Sequence, residues 1–354
     1  MNGFDLDLAT VSHELFEFNR KLLKSYTTLN QLKEVDVDST PYDVIYQEDK
    51  LKLRYYKTPS EKRCKTPLLI CYALVNRPYM IDLEEKRSML QRLLALGLDI
   101  YLIDWGYPDA ADRYLDLDDY INEYLNNCVN TVCQHAETEQ TNLLGICQGG
   151  TFSLCYTALN PSKIKNLIPM VTPVDFQTKD NLLYHLAKYV DADLAVETYG
   201  NIPGSMLNDS YNSLMPMRLG VQKNLGMPNQ LEDKERALSF LRMEKWIYDS
   251  PDQAGEAFRE FITQFFQQNK LIKGEAMIGD KQVNLAKITQ PILNIFGRFD
   301  HLVPPNASKA LKKYVASSDY QVMEVKAGHI GVFVSGKSQT HVAPAIVDWL
   351  VERD

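Results

Sequence analysis

Strand-like and helix-like apolar patterns take turns along this chain, stop, and then resume, and that order limits its fold more than any other feature. Leu68 to Val75 is an unbroken apolar run of eight residues, followed by a helical pattern over Leu83 to Leu96 and a strand pattern at Ile100 to Asp104. A helix over about 117–134, a strand at Asn142 to Ile146, a helix from Gly149 to Leu159 and a strand at Leu167 to Thr172 continue the series. Continuous apolar strands separated by amphipathic helices predict a mostly parallel sheet covered on both faces. Ahead of them, Val44 to Gln47 and Leu51 to Lys57 flank Glu48-Asp49-Lys50 and predict an antiparallel hairpin.

Over residues 176–285 the alternation gives way to helical composition, punctuated by Pro203-Gly204, Met215-Pro216 and Met227-Pro228. It resumes with strands at Pro291 to Phe296 and Tyr320 to Val325, a helix over 306–315 and a last helix from His341 to Leu350. The expected fold is α/β: a doubly wound core from residues 40–175 and 286–354, a helical cap or lid at 176–285, and an N-terminal helical segment at 1–39. The insertion follows the sixth strand, over the carboxyl edge where open α/β sheets bind their ligands.

The N-terminal segment carries its own signal. Val11, Leu15, Phe18, Leu22, Tyr26 and Leu29 recur at spacings of three and four, an amphipathic stripe. Packing on the chain's own body is the expectation; a docking surface for a partner is the alternative. Met1 to Asp7 has acids where a signal peptide has a basic region, and no apolar run approaches the roughly 20 residues of a membrane span. A soluble, cytoplasmic protein is expected. With 38 Lys plus Arg against 46 Asp plus Glu, the net charge is −8, which argues against a nucleic-acid partner held by phosphate neutralisation.

Six cysteines need an explanation: Cys64, Cys71, Cys128, Cys133, Cys147 and Cys155. No pair has the Cys-x-x-Cys spacing of zinc or redox sites, so no metal is expected. Five read as small buried hydrophobes. Cys147 differs, because Gly145-Ile146-Cys147-Gln148-Gly149 follows a strand and opens a helix, the pattern of a nucleophile elbow with cysteine in place of serine. The helix N-terminus behind it favours negative charge on the thiol. The Gln148 amide is then one oxyanion donor.

Such a nucleophile needs a base and an orienting acid, in the chain order nucleophile, acid, histidine. Asp300 follows the strand ending at Phe296, and His329 follows the strand ending at Val325, each in the loop where such a partner belongs. His301 adjoins the acid and suits a supporting role, because neighbouring side chains on an extended segment point opposite ways. The acids Asp109, Asp112, Asp116, Asp118 and Asp119 lack the glycine and terminal glutamate of a calcium loop and read as helix caps. A cysteine at the elbow also favours acyl transfer over hydrolysis. Exchange with a coenzyme A thioester trades one thioester for another, and passage to a hydroxyl acceptor then runs downhill.

The sequence resembles the catalytic subunits (PhaC type) of class III polyhydroxyalkanoate synthases. The matching stretches are Tyr72-Ala73-Leu74-Val75-Asn76-Arg77-Pro78-Tyr79-Met80, Asp104-Trp105-Gly106-Tyr107-Pro108, Gly145-Ile146-Cys147-Gln148-Gly149-Gly150, Arg242-Met243-Glu244-Lys245-Trp246-Ile247, Asp249-Ser250-Pro251-Asp252-Gln253, Asp300-His301-Leu302-Val303-Pro304-Pro305 and Gly328-His329-Ile330-Gly331. The resemblance implies an α/β-hydrolase fold and polymerisation of (R)-3-hydroxyacyl-CoA, 3-hydroxybutyryl-CoA first, into polyester with release of CoA. It implies Cys147 as nucleophile, His329 as base, Asp300 as the acid linked to hydroxyl activation, and the Val75 amide completing the oxyanion hole with Gln148. It further implies no cofactor beyond the CoA substrate, a second non-catalytic subunit of PhaE type, a homodimer of catalytic subunits, and residence on polyester granules in the cytoplasm. The rival readings are a cysteine-dependent thioesterase or esterase, which hands the same acyl group to water, and a non-catalytic granule scaffold.

Overall fold

The computed structural model describes residues 7–32 and 34–354, so the reading of the first six residues lies outside what is described. Strands β1 (Asp43–Glu48) and β2 (Leu51–Tyr56) form the expected hairpin. They join β3 (Leu68–Cys71), β4 (Ile100–Asp104), β5 (Thr141–Ile146) and β6 (Ile164–Met170). Strands β7 (Met277–Ile278) and β8 (Lys281–Gln282) make a separate small hairpin, and β9 (Ile292–Gly297) and β10 (Tyr320–Val325) complete the main sheet. The eight strands run in the order β1-β2-β4-β3-β5-β6-β9-β10, antiparallel through β1, β2 and β4 and parallel from β4 onward.

Period-two alternation divides the apolar residues of the central strands between two cores. Leu69, Tyr101, Leu143 and Leu167 face one side, and their neighbours Leu68, Leu102, Leu144 and Ile168 face the other. Both sides are helix-covered, so every residue of β4 and β5 is buried. The edge strands differ: β1 carries Asp43, Gln47 and Glu48, and β10 carries Gln321 and Glu324, polar side chains that discourage pairing with another edge.

The helices outside the sheet begin with α1 (Leu8–Gln31), then α2 (Met89–Ala95), α3 (Asn126–His135) and α4 (Gln148–Leu159). Helix α4 is buried from Gln148 to Ala158, as suits a helix seated between sheet and surrounding helices. Helix α2 is shorter than the apolar pattern suggests. Ser88 caps it by accepting the Gln91 N–H, and Asp82 bridges to Ser88 before it, so the helix starts only at Met89. Among the aspartates, Asp109 and Asp112 form a capping box, and Asp116 Oδ1 accepts the N–H groups of Asp118 and Asp119.

Between β6 and β7 the chain is helical: α5 (Leu182–Ala187), α6 (Ala192–Tyr199), α7 (Gly204–Ser213), α8 (Lys223–Leu231), α9 (Lys234–Tyr248), α10 (Gly255–Glu260) and α11 (Lys270–Lys273). Helices α12 (Pro305–Lys309), α13 (Gly331–Val334) and α14 (Ala343–Val351) follow in the returning core. The N-terminal stripe is not buried as expected. Helix α1 meets its own chain through a polar face, with Ser25 Oγ donating to the Pro228 carbonyl at 3.1 Å and Lys21 Nζ to Asn229 Oδ1 at 2.8 Å. Leu15, Phe18, Leu22, Tyr26 and Leu29 stay 37–68% exposed.

Candidate active site

The turn between β5 and α4 places Cys147 at φ +55°, ψ −121°, a backbone region that costs a non-glycine residue about 1–3 kcal/mol. The strain is held by close packing on both sides of the turn. A Cβ on Gly145 would lie 2.5 Å from the Gly150 Cα, and one on Gly149 would run into the backbone carbonyls of Cys71 and Tyr72. Cys147 N–H donates to the Met170 carbonyl at 3.0 Å, which fixes the turn against β6. The thiol ends up half-buried at the carboxyl edge of the sheet.

The two late loops converge on it. His329 Nδ1 hydrogen-bonds Asp300 Oδ2 at 2.7 Å, and Cys147 is among the groups that act on the ring. With Nδ1 on the carboxylate, Nε2 is the nitrogen left for the sulfur. The Asp300 side chain has no exposed surface, and its Oδ1 accepts the N–H groups of Leu302 and Val303, both at 2.9 Å. Burial works against a charged His329 ring, but the Asp300 carboxylate, with Cys147 adding to it, outweighs this and holds the imidazole pKa well above its usual value. His301 stays beside Asp300, half-buried.

The loop after β3 makes a contact with the elbow that the sequence reading lacked. Strand β3 ends at Cys71, and residues 72–77 leave the sheet as a loop over the elbow. Leu74 N–H donates to the side-chain oxygen of Gln148 at 3.1 Å, so Gln148 contributes its side chain to the loop as well as its backbone amide at the first position of α4. No acceptor among the described residues takes the Val75 N–H. Two tyrosines that sequence reasoning missed feel the charge of Cys147. Tyr72, from the same loop, and Tyr211, from α7, have phenols pushed up by burial and further by Cys147. Tyr211 had no signal: it lies in a segment whose helices show nothing that aims one tyrosine at the core.

The other five cysteines are buried and unpaired with one another. Burial pushes the Cys71 and Cys155 thiols up to about 12 and raises Cys64, Cys128 and Cys133 as well, which makes them poor nucleophiles. Among the described residues there is no cluster of three or more His, Cys, Asp or Glu placed to hold a metal ion, and no helix long and apolar enough to cross a membrane.

A mostly parallel sheet with this strand order, a strained cysteine elbow and an acid–histidine pair on the last two strand ends define the α/β-hydrolase class. Residues 66–335 match the family model of the alpha/beta hydrolase fold, and residues 8–93 match that of the poly-beta-hydroxybutyrate polymerase (PhaC) N-terminus. Solved structures agree on the fold alone. A monoacylglycerol lipase from Paleococcus ferrophilus has a TM-score of 0.56 at 16% identity, over 86% of this chain and 99% of the lipase. A thermophilic esterase from Thermogutta terrifontis has a TM-score of 0.50 at 14% identity, over 88% of this chain and 98% of the esterase.

The chain belongs to the PhaC family of poly(3-hydroxyalkanoate) polymerase subunits. It is 52% identical to the Synechocystis sp. subunit over 350 residues, 96% of this chain and 93% of that one. It is 52% identical to the Allochromatium vinosum subunit and 50% identical to that of Thiocystis violacea, in both cases over the full length of both chains.

Proposed function

We propose that this chain polymerises (R)-3-hydroxyacyl units, 3-hydroxybutyryl first among them, from their CoA thioesters into a polyester. The observation that carries the proposal is a thiol on a strained elbow beside an imidazole whose Nδ1 is held by an enclosed carboxylate. In the loading step the Cys147 sulfur attacks the thioester carbonyl while His329 holds the thiol proton. The oxyanion forms in front of the Val75 and Gln148 amides, CoA leaves with the proton, and the acyl group stays on Cys147. In the elongation step His329 takes the proton of a 3-hydroxyl group. That oxygen attacks the Cys147 thioester, an ester bond forms, and the thiol is regenerated.

Asp300 acts here through the ring. Both its oxygens are occupied, so its link to hydroxyl activation is to orient His329 and to stabilise the imidazolium. The helical segment 176–285 serves as the cap that keeps water from the thioester, and the Tyr211 phenol on its helix α7 is raised by burial and by Cys147.

The curated relatives are named as subunits, which supports a partner chain: a non-catalytic subunit of PhaE type, with the apolar stripe of α1 as its docking face, alongside a homodimer of catalytic chains at the granule surface. The test is product analysis after incubation with (R)-3-hydroxybutyryl-CoA. Released CoA matched by insoluble polyester supports polymerisation. Release matched by free hydroxyacid makes the chain a thioesterase instead.

A further inference from the structure

The Val75 amide has no acceptor of its own among the described residues, yet the residues on either side of it are tethered to different elements. On one side, Leu74 N–H is held by the Gln148 side chain on α4. On the other, Asn76 sits at φ +60°, 9% exposed, and its side-chain Nδ2 donates to the carbonyls of Trp246 and Ile247, each at 3.3 Å. Those carbonyls lie in the last turn of α9, where a helix has no N–H of its own to satisfy them. The bond is returned: Trp246 Nε1 donates to the Arg77 carbonyl at 2.8 Å.

Two further contacts tie the same junction. Tyr79 Oη donates to Asp249, the residue that ends α9, at 2.9 Å. Asn208 Nδ2 of α7 donates to the Ile247 carbonyl at 2.6 Å, so the helix carrying Tyr211 shares an acceptor with Asn76. The backbone of residue 75 is therefore set between the elbow helix and the C-terminal end of α9, and its direction depends on both anchors.

We propose that Asn76 is a positioning residue that couples the seating of α9 to the aim of the Val75 N–H, so that the oxyanion hole is complete only while the helical segment holds residues 76 and 77. The inference rests on the reading of Val75 as an oxyanion donor and adds what sets that donor in place. A donor aimed at the developing oxyanion is worth roughly 10²–10³ in rate, whereas a group that only shapes the binding surface shows in KM. The left-handed backbone at residue 76 also makes a clean variant available. Asn76→Gly tolerates the same φ and removes both side-chain donors.

The experiment compares wild type, Asn76→Gly and Trp246→Phe in the full chain, with two readouts. One is the single-turnover release of CoA from (R)-3-hydroxybutyryl-CoA, which builds an oxyanion. The other is alkylation of Cys147 by iodoacetamide, a displacement at a tetrahedral carbon that needs no oxyanion donor. Both variants should lose tenfold or more in kcat/KM, mostly in kcat, while Cys147 alkylation stays within about twofold of wild type. Acylation at wild-type rate in either variant overturns the proposal, and so does alkylation that falls in step with acylation. If Asn76→Gly fails to fold, Trp246→Phe alone decides the matter, since it removes one donor and keeps the ring in its buried site. A wild-type chain that releases no CoA overturns the parent reading instead, before any variant is compared.

Discussion

His329 and Asp300, 29 residues apart in sequence, meet through a 2.7 Å bond between Nδ1 and Oδ2, and the carboxylate in that bond has no exposed surface. The pair behaves as one unit, with the imidazole facing the thiol and the acid buried behind it. Asp300→Asn keeps the shape and removes the charge that supports imidazolium. Loading of Cys147 should stay detectable, because a thiol needs less help from a base than an alcohol does. Elongation should slow by on the order of 10² or more. Rapid-quench analysis of acylated protein against polymer length checks this, and equal loss in both steps would contradict it.

The same pair sets a pH dependence of stability. The folded-state pKa of His329 is raised, so its contribution is fully present below the unfolded value of about 6.5 and is lost as pH rises through the folded value. Urea unfolding of the wild type and of His329→Gln, with Cys147 present in both, reads it. The stability advantage of the histidine-containing chain should shrink steadily as pH rises above 6.5. An advantage that stays flat or grows with pH would contradict the account.

Gly149 is where the elbow and the oxyanion loop touch. A Cβ there meets the Tyr72 carbonyl at 2.5 Å and the Cys71 carbonyl closer still, both backbone atoms with little room to yield. Gly149→Ala should destabilise the fold by about 1–3 kcal/mol and reduce CoA release, because relief of the clash displaces the loop that carries Val75. Chemical denaturation and a CoA-release assay on the same preparation read both effects, and neutrality in both would show that the contact is not tight.

Reactivity should separate the cysteines. Cys147 is half-buried, while the other five are buried with raised pKa values. One equivalent of iodoacetamide should therefore label Cys147 in the native chain, and an excess should reach all six thiols only after unfolding. Labelling of Cys147 no faster than the rest would favour a non-catalytic scaffold.

The exposed stripe of α1 makes a prediction about assembly. Deleting residues 1–35 should abolish capture of the partner subunit while leaving the central sheet folded, because α1 reaches its own chain through polar contacts to 228–232. Unchanged partner binding would place the interface elsewhere.

The central strands and the elbow were legible because burial on both faces writes itself as unbroken apolar sequence, and because a tight strand-to-helix turn demands glycine. The end of β3 was not. Tyr72, Ala73 and Leu74 are as buried as the strand before them, so apolarity runs on past Cys71 although the chain has left the sheet. That misreading hid the loop on which Val75 and Asn76 sit. The face of α1 was unreadable for a different reason: periodicity identifies an apolar stripe and is silent on what covers it. The role of Asn76 depends on contacts across 170 and 171 residues of chain, and Tyr211 acts on Cys147 from 64 residues away, which spacing does not encode.

The central claim is that Cys147 carries the acyl chain, and its most direct test is the acyl adduct itself. Wild type and Cys147→Ala are mixed with (R)-3-hydroxybutyryl-CoA, quenched in acid, digested, and examined by peptide mass spectrometry alongside CoA release. The account predicts a hydroxylamine-sensitive adduct on the peptide containing Cys147, with neither adduct nor CoA release from Cys147→Ala. CoA release and polymer formation by Cys147→Ala at the wild-type rate would contradict it.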